Sequence, residues 1–180
     1  CQSKATGLAI DTLDARQIAP LNTLVDELVL EDLAAPLRFR KTAQELELTR
    51  VAALYADLSL RRLHAEAANI IAGGGTELDL LADSTGFALA ALKRDYGQAF
   101  AGTKLNITAS VHSGPRAALP HGATGARQPQ KGDTLISGVG CSLGGYHAES
   151  GVTLIIGEIS AEQRRVMAAM EACNDAAVGA

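Results

Sequence analysis

Two β-rich runs separated by a pair of glycines constrain this chain more than any other feature. Residues 132–157 read GDTLISGVGCSLGGYHAESGVTLIIG. Gly132-Asp133 opens a strand through Leu135 and Ile136, and Val152 to Ile156 forms a second that Gly157 ends. Gly144-Gly145 between them is a turn signal, because glycine takes the positive φ angles of a tight hairpin without steric cost. Gly140-Cys141-Ser142-Leu143-Gly144 also matches the G-x-S-x-G nucleophile elbow. An elbow needs a following helix and a distant histidine, and here a β-branched run follows with only His147 beyond it. A glycine-rich hairpin is the better account.

Helical signals flank this region. Leu21, Leu24, Val25 and Leu28 follow amphipathic spacing before Ala34-Ala35-Pro36 breaks it. Thr42-Ala43-Gln44-Glu45 is a capping box, with a hydroxyl and a carboxylate each satisfying a free backbone N–H. The helix it starts should place Val51, Leu54, Tyr55 and Leu58 on one face and end at Gly73-Gly74-Gly75. A second helix, with a weaker start at residues 76–79, runs to about Tyr96. The segment 105–118 turns β-like (Ile107, Ala109, Val111) until Gly114-Pro115. Ser160-Ala161-Glu162-Gln163 is another capping box, and Val166, Met170, Cys173 and Ala177 then make an apolar stripe. Helix, helix, strands, helix is an α+β order without internal repeat.

Several function classes drop out. Gly138-Val139-Gly140 with Gly144 has the wrong spacing for a dinucleotide fingerprint, and Gly73-Gly74-Gly75 lacks the Lys-Ser/Thr of a phosphate loop. The net charge of -4 is spread out, with no basic block, so nucleic acid is not an expected partner. The apolar runs are far too short to span a bilayer, so no membrane is expected either. Cys1, Cys141 and Cys173 are odd in number and widely spaced, which argues for a reducing cytoplasm.

Among the four histidines, His64 reads as solvated, and His112 as either core or site. His121, between Pro120 and Gly122, sits where a rigid turn can present an imidazole to a cleft. His147 lies two residues before Glu149. The spacing of His121, His147 and Glu149 fits no zinc signature.

The chain resembles the M24 "pita-bread" hydrolases: aminopeptidase P, prolidase, methionine aminopeptidase and creatinase. The resemblance is carried by Leu37-Arg38-Phe39-Arg40-Lys41-Thr42 with Glu45, Arg50 and Ala52, and by Ala118-Leu119-Pro120-His121-Gly122. It continues through Gly132-Asp133 to Gly140, and through Gly145-Tyr146-His147-Ala148-Glu149 to Gly157. It implies an α+β fold, the first half of a pita-bread, with helices on a mainly antiparallel sheet. Residues 1–36 would then be the end of an N-terminal domain plus linker, and residues 37–180 an incomplete catalytic domain. A start at Cys1 rather than Met, and a stop within a helix, is what a fragment would look like.

The resemblance makes His121 the substrate-binding and catalytic histidine, acting on a peptide bond as in Xaa-Pro aminopeptidases and dipeptidases. Family peptidases hold two divalent ions (Mn, Co or Zn) with two Asp, a His and two Glu. Here the first Asp position falls on Gly138 and the second on Glu149, and the family's Thr-Arg-Thr reads Gly151-Val152-Thr153. The other three ligands would lie beyond Ala180. The metal is therefore expected to be weakened or absent, with Glu149 as the one ligand in this chain. A creatinase-like, metal-independent C–N hydrolase on a small guanidino substrate is the alternative, and a non-catalytic binding member a third. A homodimer is expected, and inactivity of this part alone.

Overall fold

The computed structural model describes residues 34–119 and 121–179, together with Arg16, Ala19, Pro20 and Thr23. The proposed helix through Leu21 and Leu28 lies outside the described residues, as do Cys1 and Pro120. The chain divides into two compact units, Cys1–Leu46 and Glu47–Ala180. In the first, a short helix α1 (Ala35–Phe39) has Pro36 in its first turn, where the missing N–H costs nothing. The Thr42 capping box forms: the Thr42 N–H donates to Glu45 Oε2 at 2.6 Å, and the Glu45 N–H to Thr42 Oγ1 at 3.3 Å.

This box opens α2 (Ala43–Ala72), which is followed by α3 (Glu77–Tyr96). Asp79 is shorter than the usual Glu, yet it completes the α3 box, its Oδ2 accepting from the Thr76 N–H at 2.7 Å. The buried face of α2 is Val51, Ala52, Ala56, Ser59, Leu60, Leu63 and Ala67. The expected face is thus rotated: Leu54 is 52% exposed. Alanines at 52 and 56 let the helix approach its neighbours closely, and the larger Leu54 is left outside.

Strands β1 (Leu105–Ser113), β2 (Thr134–Leu143) and β3 (Tyr146–Ile155) form one antiparallel sheet in that order. A 3-10 turn, Gly114–Ala118, follows β1, so the β-like segment stops at Ser113. Gly144 (φ 61°) and Gly145 (φ 90°) close the β2–β3 hairpin in the twist-matched turn that requires positive φ at both positions. Ser142 is therefore a buried strand residue, not an elbow nucleophile.

One sheet face is apolar and packs on α2 and α3. Ile107, Val139, Cys141 and Leu143 meet Val51, Ala52, Ala56, Leu60, Ala88 and Leu92; Val111 and Leu135 meet Leu63, Ala67 and Leu80. Arg62 of α2 holds Asp83 of α3 through two bonds of 2.8 and 2.9 Å and lies 5.0 Å over the Phe87 ring. Burial pushes the Cys141 thiol up to about 11, which leaves it unreactive at neutral pH.

The last helix, α4 (Ala161–Val178), starts at the Ser160 box and contains no buried residue. Gln163, besides capping, donates to Gly132 O at 2.9 Å. The apolar stripe stays outside: Val166 is 48% and Met170 64% exposed. With Thr134, Ile136, Thr153 and Ile155 it lines a groove of about 870 Å³.

Candidate functional site

Antiparallel register fixes what the other sheet face carries. Gly140 pairs with Thr108 on β1 and Glu149 on β3; Gly138 pairs with Ser110 and Gly151; Ile136 pairs with His112 and Thr153. Paired residues project to the same side and alternate along each strand. His112, Ser110, Thr108, Gly138, Gly140, Glu149 and Gly151 therefore share the face away from α2 and α3, the face whose Thr134, Ile136, Thr153 and Ile155 line the groove with α4. Its centre is bare, because three of those seven residues are glycine.

Glu149 is exposed on this face and leans over Gly140, its Cγ 3.8 Å from where a Cβ would stand on that glycine. Gly138 faces open space, and a Cβ there would meet nothing within 4 Å. Its position is diagonal to Glu149 across adjacent strands, about 7–8 Å away at the backbone. No group of three or more His, Cys, Asp or Glu among the described residues could hold a metal ion. The described residues thus do not by themselves make a metal centre.

His121 is exposed on the turn that follows the 3-10 segment. Four successive residues of that turn are pinned, two to the end of β1, one to the 3-10 segment and one to α3. The Gly122 carbonyl accepts from His112 Nε2, and the Ala123 carbonyl from Arg116 Nη2. Thr124 Oγ1 accepts from the Val111 N–H at 2.9 Å, and the Gly125 N–H donates to Glu77 Oε2 at 3.1 Å. His121 thus sits beside the His112 end of the face that carries Glu149. The two are not in contact: His112 and Thr108 are four residues apart along β1, about 13 Å. His147 is exposed on β3 opposite Ser142, and His64 is exposed on α2.

Glu77 is the residue that pattern reading missed. It is fully buried at the start of α3 and accepts from the Ser113 N–H and hydroxyl, both at 2.8 Å, as well as from Gly125. Arg116 Nε lies 3.4 Å from it. Burial works to raise its carboxyl, but the Ser113 hydroxyl, the two backbone N–H groups and Arg116 outweigh it and hold the carboxyl below its usual range. Arg127 extends the cluster, donating to Ser113 Oγ and Asp133 Oδ2 at 2.6 Å each. Burial also acts to raise Asp133, and the bonds from Arg127 and the Gln130 N–H lower it on balance. The Asp of the Gly-Asp pair is thereby a loop anchor. Helix 77–96 is joined through this cluster to the turn that carries His121.

Residues 47–180 match the Metallopeptidase family M24. A search of the curated proteins finds no match. Among solved structures, the Xaa-Pro dipeptidase from Bacillus anthracis superposes with a TM-score of 0.67 at 22% identity, over 90% of this chain and 42% of that one. The prolidase from Pyrococcus horikoshii OT3 gives a TM-score of 0.69 at 19% identity, over 90% and 44%. The X-prolyl aminopeptidase from Caenorhabditis elegans, described as a cytosolic enzyme with a di-nuclear active site, gives 0.60 at 16% identity, over 76% and 22%. The chain thus spans less than half the length of these proteins, and its α+β fold is the corresponding part of theirs, the first half of a pita-bread. With the family matched over residues 47–180, most of its length, this chain belongs to metallopeptidase family M24.

Proposed function

We propose that this chain supplies one wall of a peptidase cleft for X-Pro peptides, with His121 as its catalytic histidine. The observation that carries the reading is the anchored turn. Family membership supplies the reaction class, and four pinned residues after His121 give an exposed imidazole a fixed position at the edge of an open sheet face. There the ring would hydrogen-bond the scissile amide and carry its proton. Glu149 is the one carboxylate that residues 105–155 place on that face, and it is the proposed ligand for a divalent ion (Mn, Co or Zn).

This chain by itself is inactive in this reading. The longer protein should hydrolyse an X-Pro dipeptide, and His121→Ala should lower kcat by about a hundredfold or more. Absence of hydrolysis with and without Mn, or an unimpaired His121→Ala variant, would reject the proposal.

Gly138 favours a second reading. Two dications held close together need several anionic oxygens to offset their repulsion, and the first carboxylate position has no side chain. A creatinase-like C–N hydrolase, working on a small guanidino substrate without metal, fits that gap. Hydrolysis of such a substrate, unaffected by chelator, would replace the first reading with this one.

A cytoplasmic homodimer completes the proposal. No helix among the described residues is long and apolar enough to cross a membrane. The outer edge of β3 is unpaired among them, and Val166 and Met170 are exposed. The 18.6 kDa chain should sediment at twice its mass; a monomer at high concentration would remove the dimer.

A further inference from the structure

His112 has a role that its position in a strand does not announce. Its ring is fully buried, although it lies on the sheet face whose centre is bare. The turn 121–125 lies against it at Gly122. A Cβ placed on Gly122 would stand 3.4 Å from His112 Nε2, so the glycine lies directly against the ring. Gly122 is held from both sides: its N–H donates to Leu119 O at 3.3 Å, and its carbonyl faces His112 Nε2. A carbonyl oxygen can only accept, so Nε2 carries the proton. The other ring nitrogen, Nδ1, is buried with no hydrogen-bond partner among the described residues. The bond from Nε2–H to the Gly122 carbonyl is thus the ring's one hydrogen bond among the described residues.

We propose that His112 is a positioning residue for His121: its Nε2–H fixes the Gly122 peptide and with it the direction in which the neighbouring imidazole points. Thr124, Arg116 and Glu77 anchor the later residues of the turn, but among the described residues His112 alone grips the carbonyl of the residue next to His121. The inference rests on the proposed role of His121. Its structural half can be read without any substrate.

The test has two parts. Long-range ¹⁵N–¹H correlation on this chain should give His112 as the Nε2–H tautomer, coupled through its hydrogen bond to the Gly122 carbonyl. An Nδ1–H tautomer would overturn the proposal, whether or not any variant folds. In the longer protein, His112→Leu removes the donor, whereas His112→Gln keeps an N–H near the place of Nε2. The leucine variant should lose about tenfold to a hundredfold in kcat with KM little changed, and the glutamine variant should recover most of it. Equal loss in both, or a fall confined to KM, would overturn it. If the wild-type protein hydrolyses no X-Pro peptide, the peptidase reading fails by itself, and the tautomer still decides on His112.

Discussion

Glu77 sets the chemistry of the turn as firmly as His121 exposes it. Replacing this carboxylate by alanine strips acceptors from Ser113, Gly125 and Arg116 at once, with Glu77 and Ser113 themselves fully buried. Glu77→Ala should cost about 3–5 kcal/mol at pH 7, measured by urea unfolding. The pH dependence follows from the lowered carboxyl. A group depressed in the folded state stabilises fully above its unfolded value, about 4.3, and that contribution disappears as pH falls through the folded value. The gap between wild type and Glu77→Ala should therefore shrink from pH 7 to pH 3, and a gap that stays constant would contradict the assignment. The exposed turn position of His121 was legible because Pro-His-Gly is a local signal. Glu77 was not, since its partners lie 36 and 48 residues away and nothing within its own helix announces them.

Capping boxes and turn glycines were the most readable elements, because each is settled by residues three or four apart. Gly144-Gly145 shows how local sterics and packing add. Both need positive φ, but only at Gly144 would a Cβ also strike the Phe100 ring, 2.8 Å away. Gly145→Ala should cost about 1–2 kcal/mol from backbone strain alone, and Gly144→Ala should cost about 1–3 kcal/mol more from the clash. Thermal melting of the two variants checks the order, and equal losses would mean that the ring simply moves aside. The face of α2 was less readable. Its apolar residues fit more than one stripe, and the sheet, not the helix, selects the one with Ala52 and Ala56 inward. The exposed stripe of α4 has the same origin, since periodicity marks an apolar face without saying what covers it.

At the level of the whole molecule, family and fold were legible in the order of four short motifs, and the cleft only in part. Register places Gly138 and Glu149 on one face, and the sequence alone could not say that Gly138 opens onto free space. That space makes a direct test of divergence. A Cβ at Gly138 meets nothing within 4 Å, and Gly138→Asp puts a second carboxylate diagonal to Glu149, so the longer protein should bind Mn more tightly by about tenfold or more, as isothermal titration would measure. Unchanged affinity would mean that the cleft no longer has the shape for a metal. The side-chain-free centre of the sheet also has a consequence for what can rest there. Whatever settles on Gly138, Gly140 and Gly151 lies directly on main chain, so its depth is set by the peptide planes beneath it. Single methyl groups then act as shims: one at 138 has free room, one at 151 would touch only the Ser137 carbonyl at 3.5 Å, and one at 140 would press on Thr108 at 3.3 Å.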